Sequence, residues 1–170
     1  MKLSAEFRFE KRHIGLLEEV FQIPSVMHCN QRLVFSGTEG LCMLLRRLAY
    51  PCRYSDLIHR FARPVPVISM ITNTVLDHIY ETNNHKITTW NDGLLNPPAL
   101  QTYGDAISAK RAALQNCFGF DDGTVRRVSK SGEQQRLLYN GHKRVHGIKF
   151  QSIALPNGLV ANIFGPIGKI

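Results

Sequence analysis

An Asp-Gly pair at the end of an apolar stretch is the residue pattern in this chain that points most directly to chemistry. Between Phe118 and Asp122, aromatic residues alternate with glycine and aspartate, which predicts a short buried strand that ends at Asp122-Gly123. A carboxylate at the end of such a strand is a candidate ligand for a divalent metal. Asp-Gly is also a common turn dipeptide, so the pair alone favours an ordinary turn.

The segment that follows this pair is strongly basic. The whole chain of 170 residues has a net charge of +8. Residues 123–170 hold eight Lys and Arg against one acid, a balance of +7, whereas residues 1–122 hold thirteen against twelve, a balance of +1. An excess on one side, next to a candidate metal carboxylate, indicates a polyanionic partner such as DNA. The candidate DNA contacts are Arg126, Arg127, Lys130, Arg136, His142, Lys143, Arg144 and Lys149.

Other possible ligand groups are weaker. Four scattered cysteines form no Cys-x-x-Cys pair, which argues against a zinc module and predicts buried, reduced thiols in an intracellular protein. His142 and His146 have the spacing of half a zinc site, but no cysteine pair lies near them, so a structural or phosphate-facing position is favoured. Gln134, Gln135 and Arg136 lie in a polar loop and are further candidate phosphate contacts.

The first part of the chain is predicted to be helical. Apolar residues recur at helical spacing, and Ser36 to Glu39 forms a capping-box pattern before the apolar helix that ends at Ala49. A short helix, a Pro-rich connector and a longer helix over Val67–Tyr80 then form a helix-turn-helix-like arrangement. The longer helix has no Lys or Arg, so packing is favoured over reading of a DNA groove. Its predicted inner residues are Ile68, Ile71, Val75 and Ile79.

The second part is predicted to be a helix followed by a sheet. A helix over 99–111 precedes three strands, the first at Phe118–Asp122, the second over 146–155 and the third over 159–164. Asn157-Gly158 is a strong signal for a two-residue hairpin turn between the last two strands. Both faces of these strands are largely apolar, so we expect a sheet that is covered on both sides. The fold class is α+β, with domains over 1–98 and 99–170.

Several motifs resemble those of the Harbinger-type DDE transposases and their domesticated nuclease relatives. In the catalytic part these are residues 122–126 (Asp-Gly-Thr-Val-Arg), 139–146 and 149–151, and in the helical part residues 7–9, 48–56 and 75–80. The resemblance covers almost the whole chain. It implies a helix-turn-helix-like N-terminal region over residues 1–98, followed by the first half of a ribonuclease H-like α/β domain with an Asp-Asp-Glu metal site.

The same resemblance implies a magnesium-dependent DNA endonuclease whose first metal ligand and catalytic carboxylate is Asp122. It also implies DNA and a Myb-like DNA-binding protein as partners, and a location in the nucleus, with the cytoplasm as an alternative. In that family the second Asp and the Glu follow the third strand, at positions beyond Ile170. We therefore expect an incomplete copy that binds Mg²⁺ weakly and is inactive alone. The alternatives are a non-catalytic DNA- or protein-binding module and a pseudogene fragment.

Composition excludes some classes of protein. With 44% hydrophobic and 20% charged residues, the chain has the composition of an ordinary globular protein. No apolar run approaches the ~18 residues of a membrane span, so no membrane partner is expected. The N-terminus lacks a hydrophobic signal region, which argues against secretion.

Overall fold

The computed structural model shows an α+β protein, which confirms the predicted class. It describes residues 7–50, 52–111, 113–114, 116–130, 132–133 and 135–167. The chain divides into two compact units, Met1–Asn84 and His85–Ile170. Residues 85–98, which the sequence assigned to the N-terminal region, therefore group with the second unit. Among the helices in the described ranges, none has the length and apolar character needed to cross a bilayer.

The first unit combines helices with one small hairpin. In chain order it contains α1 (Lys11–Val20), β1 (Val26–His28), β2 (Val34–Ser36), α2 (Gly37–Ala49), a 3-10 turn (Tyr54–Leu57), α3 (Ile58–Phe61) and α4 (Val65–Asn83). Strands β1 and β2 pair in an antiparallel manner. The short helix, connector and long helix occur in the predicted order. Their assignment as a helix-turn-helix-like arrangement remains a prediction.

The core of the first unit lies between α2 and α4. Leu41 and Met43 of α2 are fully buried, as are Ile68, Ile71 and Val75 of α4, which confirms most of the predicted inner face of α4. The last turn of α2 differs from the prediction, because Leu48 is 65% exposed. It lines an apolar groove at the surface of this unit instead of the core.

The predicted capping box of α2 does not form. Ser36 stands at the N-cap without a side-chain hydrogen bond. Glu39 instead accepts two hydrogen bonds from the Arg63 guanidinium, from Nε at 3.1 Å and from Nη2 at 3.0 Å. A bidentate guanidinium–carboxylate pair is stronger than the hydrogen bond to a backbone N–H that it replaces. The pair ties the first turn of α2 to the connector before α4.

One buried polar side chain, Thr72, is satisfied locally within α4. Its hydroxyl donates to the Ile68 carbonyl at 2.9 Å and lies 3.3 Å from the hydroxyl of Tyr54. When the Thr72 hydroxyl donates to the Tyr54 oxygen instead, the hydrogen bond lowers the pKa of Tyr54, and the Arg47 guanidinium over the Tyr54 ring acts in the same direction. The contact between Thr72 and Tyr54 therefore joins α4 to the 3-10 turn, and the buried Thr72 hydroxyl is not left unpaired.

The second unit combines a four-stranded sheet with helices. It contains α5 (His85–Thr88), α6 (Pro97–Ser108), β3 (Phe120–Arg127), α7 (Gln135–Leu138), β4 (Tyr139–Asn140), β5 (Val145–Ala154) and β6 (Val160–Ile167). All pairings are antiparallel, and β5 is central. It pairs along its length with β3, while β4 and β6 pair with its first and last parts.

Helix α6 starts at a side-chain cap and covers part of the sheet. The Asn96 side chain accepts a hydrogen bond from the Ala99 amide at 2.9 Å, which satisfies one of the free N–H groups of the first turn. Residues of the preceding loop and of the β5–β6 hairpin form the core of this unit, with Leu100 and Tyr103 of α6 packed against it. The buried members of that core are Leu95, Leu155 and Ala161.

The opposite face of the sheet is exposed at one end. Phe120, Ala154 and Val160 are aligned across β3, β5 and β6 and therefore share one face. Phe120 and Val160 are both exposed. The prediction of a sheet covered on both sides therefore does not hold at this end of the sheet.

The hairpin between β5 and β6 has a longer turn than predicted. The Leu155 amide donates to the Leu159 carbonyl at 2.8 Å, so three residues, not two, connect the strands. Gly158 alone takes a positive φ, of 83°, which is typical of a three-residue hairpin loop. Ala154 consequently faces Val160, whereas a two-residue turn at Asn157-Gly158 would have placed it opposite Ala161.

The contact between α2 and α4 gives a test of the core. A Cβ atom on Gly40 would lie 2.6 Å from the Phe35 ring and 2.7 Å from Cγ2 of Val75. We expect Gly40→Ala to lower the free energy of unfolding by about 1–3 kcal/mol, because α2 would have to move away from its neighbours. Urea unfolding followed by far-UV circular dichroism measures this change.

Gly15 provides the matched control for this substitution. It lies within α1, is exposed, and has nothing within 4 Å of an added Cβ. Gly15→Ala should therefore stabilise the helix, by about 0.5–1 kcal/mol. Equal effects of the two substitutions would contradict the close packing of α2 against Phe35 and Val75.

Candidate nucleic-acid interface and metal carboxylate

Strand β3 runs through the acidic pair and on into the basic segment. The sequence predicted a buried strand that ends at Asp122-Gly123, and this prediction is wrong in both respects. The strand continues to Arg127, because all eight of its residues pair with β5 and because Thr124 and Val125 favour an extended backbone. None of its residues is buried. Asp122 therefore lies within an exposed strand.

The surroundings of Asp122 are hydroxyl groups. Its Oδ2 accepts a hydrogen bond from Oγ1 of Thr124 at 3.2 Å, two residues further along the same face of β3. Ser152 is its partner across the strand pair. Both neighbours are polar and neutral.

The other carboxylate of the pair points to the opposite face, as strand alternation predicted. Oδ2 of Asp121 accepts a hydrogen bond from Nε2 of Gln151 at 2.6 Å. Gln151 lies opposite Gly123, on the same face as Asp121. Asp121 and Asp122 are thus adjacent in sequence but cannot share one metal ion in this strand geometry.

The described residues do not provide a complete metal site. In these parts of the chain no three His, Cys, Asp or Glu residues come together in a way that could hold a metal ion. Asp122 supplies a single carboxylate. Mg²⁺ requires near-octahedral oxygen coordination, so one side chain does not fit this ion without additional ligands.

The cysteines are free thiols in the described structure. Cys29 and Cys52 are buried, as predicted, whereas Cys42 and Cys117 are half-buried. Burial raises the pKa of the Cys42 thiol, and the negative charge of Glu18 raises it further. This thiol is therefore held in its protonated, poorly nucleophilic form.

The basic residues of the strands are divided between the two faces of the sheet. Arg126 shares a face with Asp122, whereas Arg127 lies on the face of Asp121. Lys149 of β5 is opposite Val125 and therefore also lies on the face of Arg127. Arg126 and Arg127 are exposed, and Lys149 is half-buried in the middle of the sheet.

Three more of the residues predicted to contact DNA form the tip of the β4–β5 hairpin. The hairpin tip consists of His142, Lys143 and Arg144, all exposed. Oδ1 of Asn140 accepts a hydrogen bond from the Lys143 amide at 3.0 Å, and Arg144 takes a positive φ of 51°. This turn sets three basic or polar side chains at the end of the sheet, with no intervening acid in the sequence.

The remaining residues predicted as DNA or phosphate contacts that the structure describes lie around a polar pocket. The pocket has a volume of about 440 Å³ and is lined by Lys130, Gln135, Arg136, Tyr139 and His146. Gln134, also predicted as a phosphate contact, lies outside the described residues. The Tyr139 and His146 rings meet edge to face, with centroids 5.3 Å apart at 62°. Tyr139 was missed by sequence reasoning, because its position beside His146 depends on the register of β4 against β5.

Comparisons of the chain with protein-family models, with curated proteins and with solved structures found no match. The resemblance of its motifs to Harbinger-type transposases therefore remains a prediction. The candidate site consists of one exposed carboxylate on β3, a basic hairpin tip, basic residues on both faces of the sheet, and a polar pocket at one end.

Proposed function

We propose that this chain is a DNA-binding protein derived from a Harbinger-type transposase, and that its second unit holds the phosphates. The observation that carries the proposal is the arrangement of the basic residues. In the second unit they occupy exposed strand positions, the hairpin tip and a polar pocket. Their side chains reach solvent at all three places and are available to a polyanion.

The charge balance supports this proposal physically. Residues 123–170 carry a net charge of +7. Lys and Arg that neutralise phosphates release condensed counterions, so the affinity of such a protein for DNA falls steeply with salt. Base reading requires side chains that reach the edges of bases in a groove. Long helix α4 exposes Asn73 and Asp77 on its outer side, without a Lys or Arg, so groove reading by α4 is not part of the proposal.

The topology of the sheet supports the transposase ancestry. Strands β3, β5 and β6 lie side by side in that order with antiparallel pairing, and Asp122 lies on the first of them; α7 and β4 come between β3 and β5 in the chain. This order agrees with the first half of a ribonuclease H-like sheet. With that ancestry we propose a nuclear location and a Myb-like DNA-binding protein as a partner.

A metal-dependent endonuclease is the second candidate function. The observation that favours it is the exposed Asp122 carboxylate on the first strand of this sheet. When bound in a complete site, Mg²⁺ would supply an activated water or hydroxyl and stabilise the leaving oxygen. Asp122 is the one residue we assign to that site, and a single carboxylate does not fit it alone. No cleavage step is therefore derived for the described residues.

We expect the chain to bind duplex DNA with an affinity that falls steeply as salt rises and does not change with EDTA. Replacement of Lys143 and Arg144 by Ala should weaken binding and reduce the slope of log affinity against log salt by about 2, since about one counterion is released per phosphate contact. Fluorescence anisotropy with a labelled duplex between about 50 and 200 mM salt measures both quantities.

Lys11 and Arg12 provide the matched control. They are also an exposed Lys-Arg pair, at the start of α1 in the first unit. Replacement of both by Ala removes the same charge and should leave the salt slope unchanged. Equal losses from the two double variants would show that net charge alone governs binding, and binding that does not depend on salt would contradict the proposal.

For the second candidate we expect no nicking of supercoiled DNA above background in the presence of Mg²⁺, because one carboxylate cannot hold the ions that cleavage requires. Agarose gel electrophoresis of a plasmid after incubation measures this directly. Asp122→Asn and Asp121→Asn serve as a matched pair, because they lie on opposite faces of β3. Reproducible nicking that only Asp122→Asn abolishes would establish Asp122 as a metal ligand and reverse this expectation.

A further inference from the structure

The pocket at one end of the sheet differs in kind from the other basic positions. Two of its lining residues, Lys130 and Arg136, are cations, and Gln135, Tyr139 and His146 add an amide, a phenol and an imidazole. The lining residues in the described structure include no carboxylate. Hydrogen-bond donors therefore predominate around one shallow depression that is largely open to solvent.

The residues around the pocket are held by the backbone on both sides. The Val128 amide donates to the His146 carbonyl at 3.0 Å, which fixes the chain to β5 two residues before Lys130. Tyr139 pairs with His146 across β4 and β5. Helix α7 leads directly into β4, so Gln135 and Arg136 are only a few residues from this fixed pair. Strand pairing therefore fixes the backbone beside the pocket, and the Lys130 and Arg136 side chains extend from it into solvent.

We propose that this pocket binds a phosphomonoester carried on a nucleotide, either the phosphorylated end of a DNA strand or a free mononucleotide. A monoester has three terminal oxygens and a charge between about −1.5 and −2 near neutral pH. Two cations and several neutral donors match it better than they match a backbone diester, which has one charge. The strand-end source rests on the proposed function, and the mononucleotide source does not.

The volume of the pocket leaves room for more than a phosphate group. Its volume of about 440 Å³ falls in the range of small-molecule sites, about 300–1,000 Å³. A phosphate group fills a small part of that space. The Tyr139 ring, 40% exposed, is available to stack on a base, and its edge-to-face contact with His146 limits its rotation.

The test compares one single-stranded oligonucleotide with a 5′-phosphate, with a 3′-phosphate and with hydroxyl groups at both ends, using the full chain. We expect one of the phosphorylated forms to bind about tenfold more tightly than the hydroxyl form, because charge-assisted hydrogen bonds from Lys130 and Arg136 are strong. Arg136→Gln and, independently, Lys130→Gln should remove this difference. Both residues are exposed, so neither change should affect folding, and circular dichroism checks this.

The control is the double variant Lys143→Gln and Arg144→Gln at the hairpin tip, which should weaken all three oligonucleotides and preserve their ratio. Titration with deoxythymidine monophosphate, followed by amide chemical shifts, identifies the source. Shifts centred on Lys130, Arg136 and His146 would support a free mononucleotide, and a phosphate preference limited to the oligonucleotides would support a strand end.

The outcomes separate the two proposals. Steeply salt-dependent binding of duplex DNA with no preference for phosphorylated ends and no mononucleotide binding would overturn the pocket and leave the proposed function intact. Mononucleotide binding that Arg136→Gln abolishes, without binding of duplex DNA, would support the pocket and overturn the proposed function. If Arg136→Gln and the parent chain show an equal preference for phosphorylated ends, the pocket is not the source of that preference and the proposal is overturned.

Discussion

The register of β3 against β5 is the constraint on which the candidate site depends. Because Asp122 faces Ser152, every residue of β3 is assigned to one of two faces, and a shift by one residue would exchange them all. Strand alternation separates Asp121 from Asp122 and Arg126 from Arg127, and the register determines which residues of β5 each of them faces. The register of β4 against the start of β5 places Tyr139 beside His146. Two strand pairs together therefore determine which side chains can meet.

The first unit depends on a different constraint, the short distance between α2 and its neighbours. Gly40 is buried where Phe35 and Val75 come within reach of its missing side chain, and the Arg63–Glu39 pair lies at the start of the same helix. The close packing at Gly40 sets the spacing of the helices, and the Arg63–Glu39 pair links α2 to the connector before α4. Both are stability features, and neither lies among the residues that we propose to bind DNA.

Helical periodicity gave a good account of the elements but not of the site. The inner face of α4 is largely as predicted, because Ile68, Ile71 and Val75 repeat at a spacing that only one face of a helix can satisfy. The prediction for the extent of β3 was wrong. Beside Thr124 and Val125, an Asp-Gly pair is as compatible with the interior of a strand as with a turn. The polar pocket could not be found from sequence, since its residues come from four separate elements or loops and meet only through pairing across the hairpin.

The division of the basic residues between the two faces of the sheet has a consequence for the shape of a bound nucleic acid. A duplex is stiff over the dimensions of a small domain, so one straight duplex laid against the sheet meets either Arg126 or the pair Arg127 and Lys149. The outer edge of β3 has no pairing partner among the described strands. A flexible single strand can pass around that edge and contact both faces in succession. Its footprint would then follow the rim of the sheet and not a flat surface.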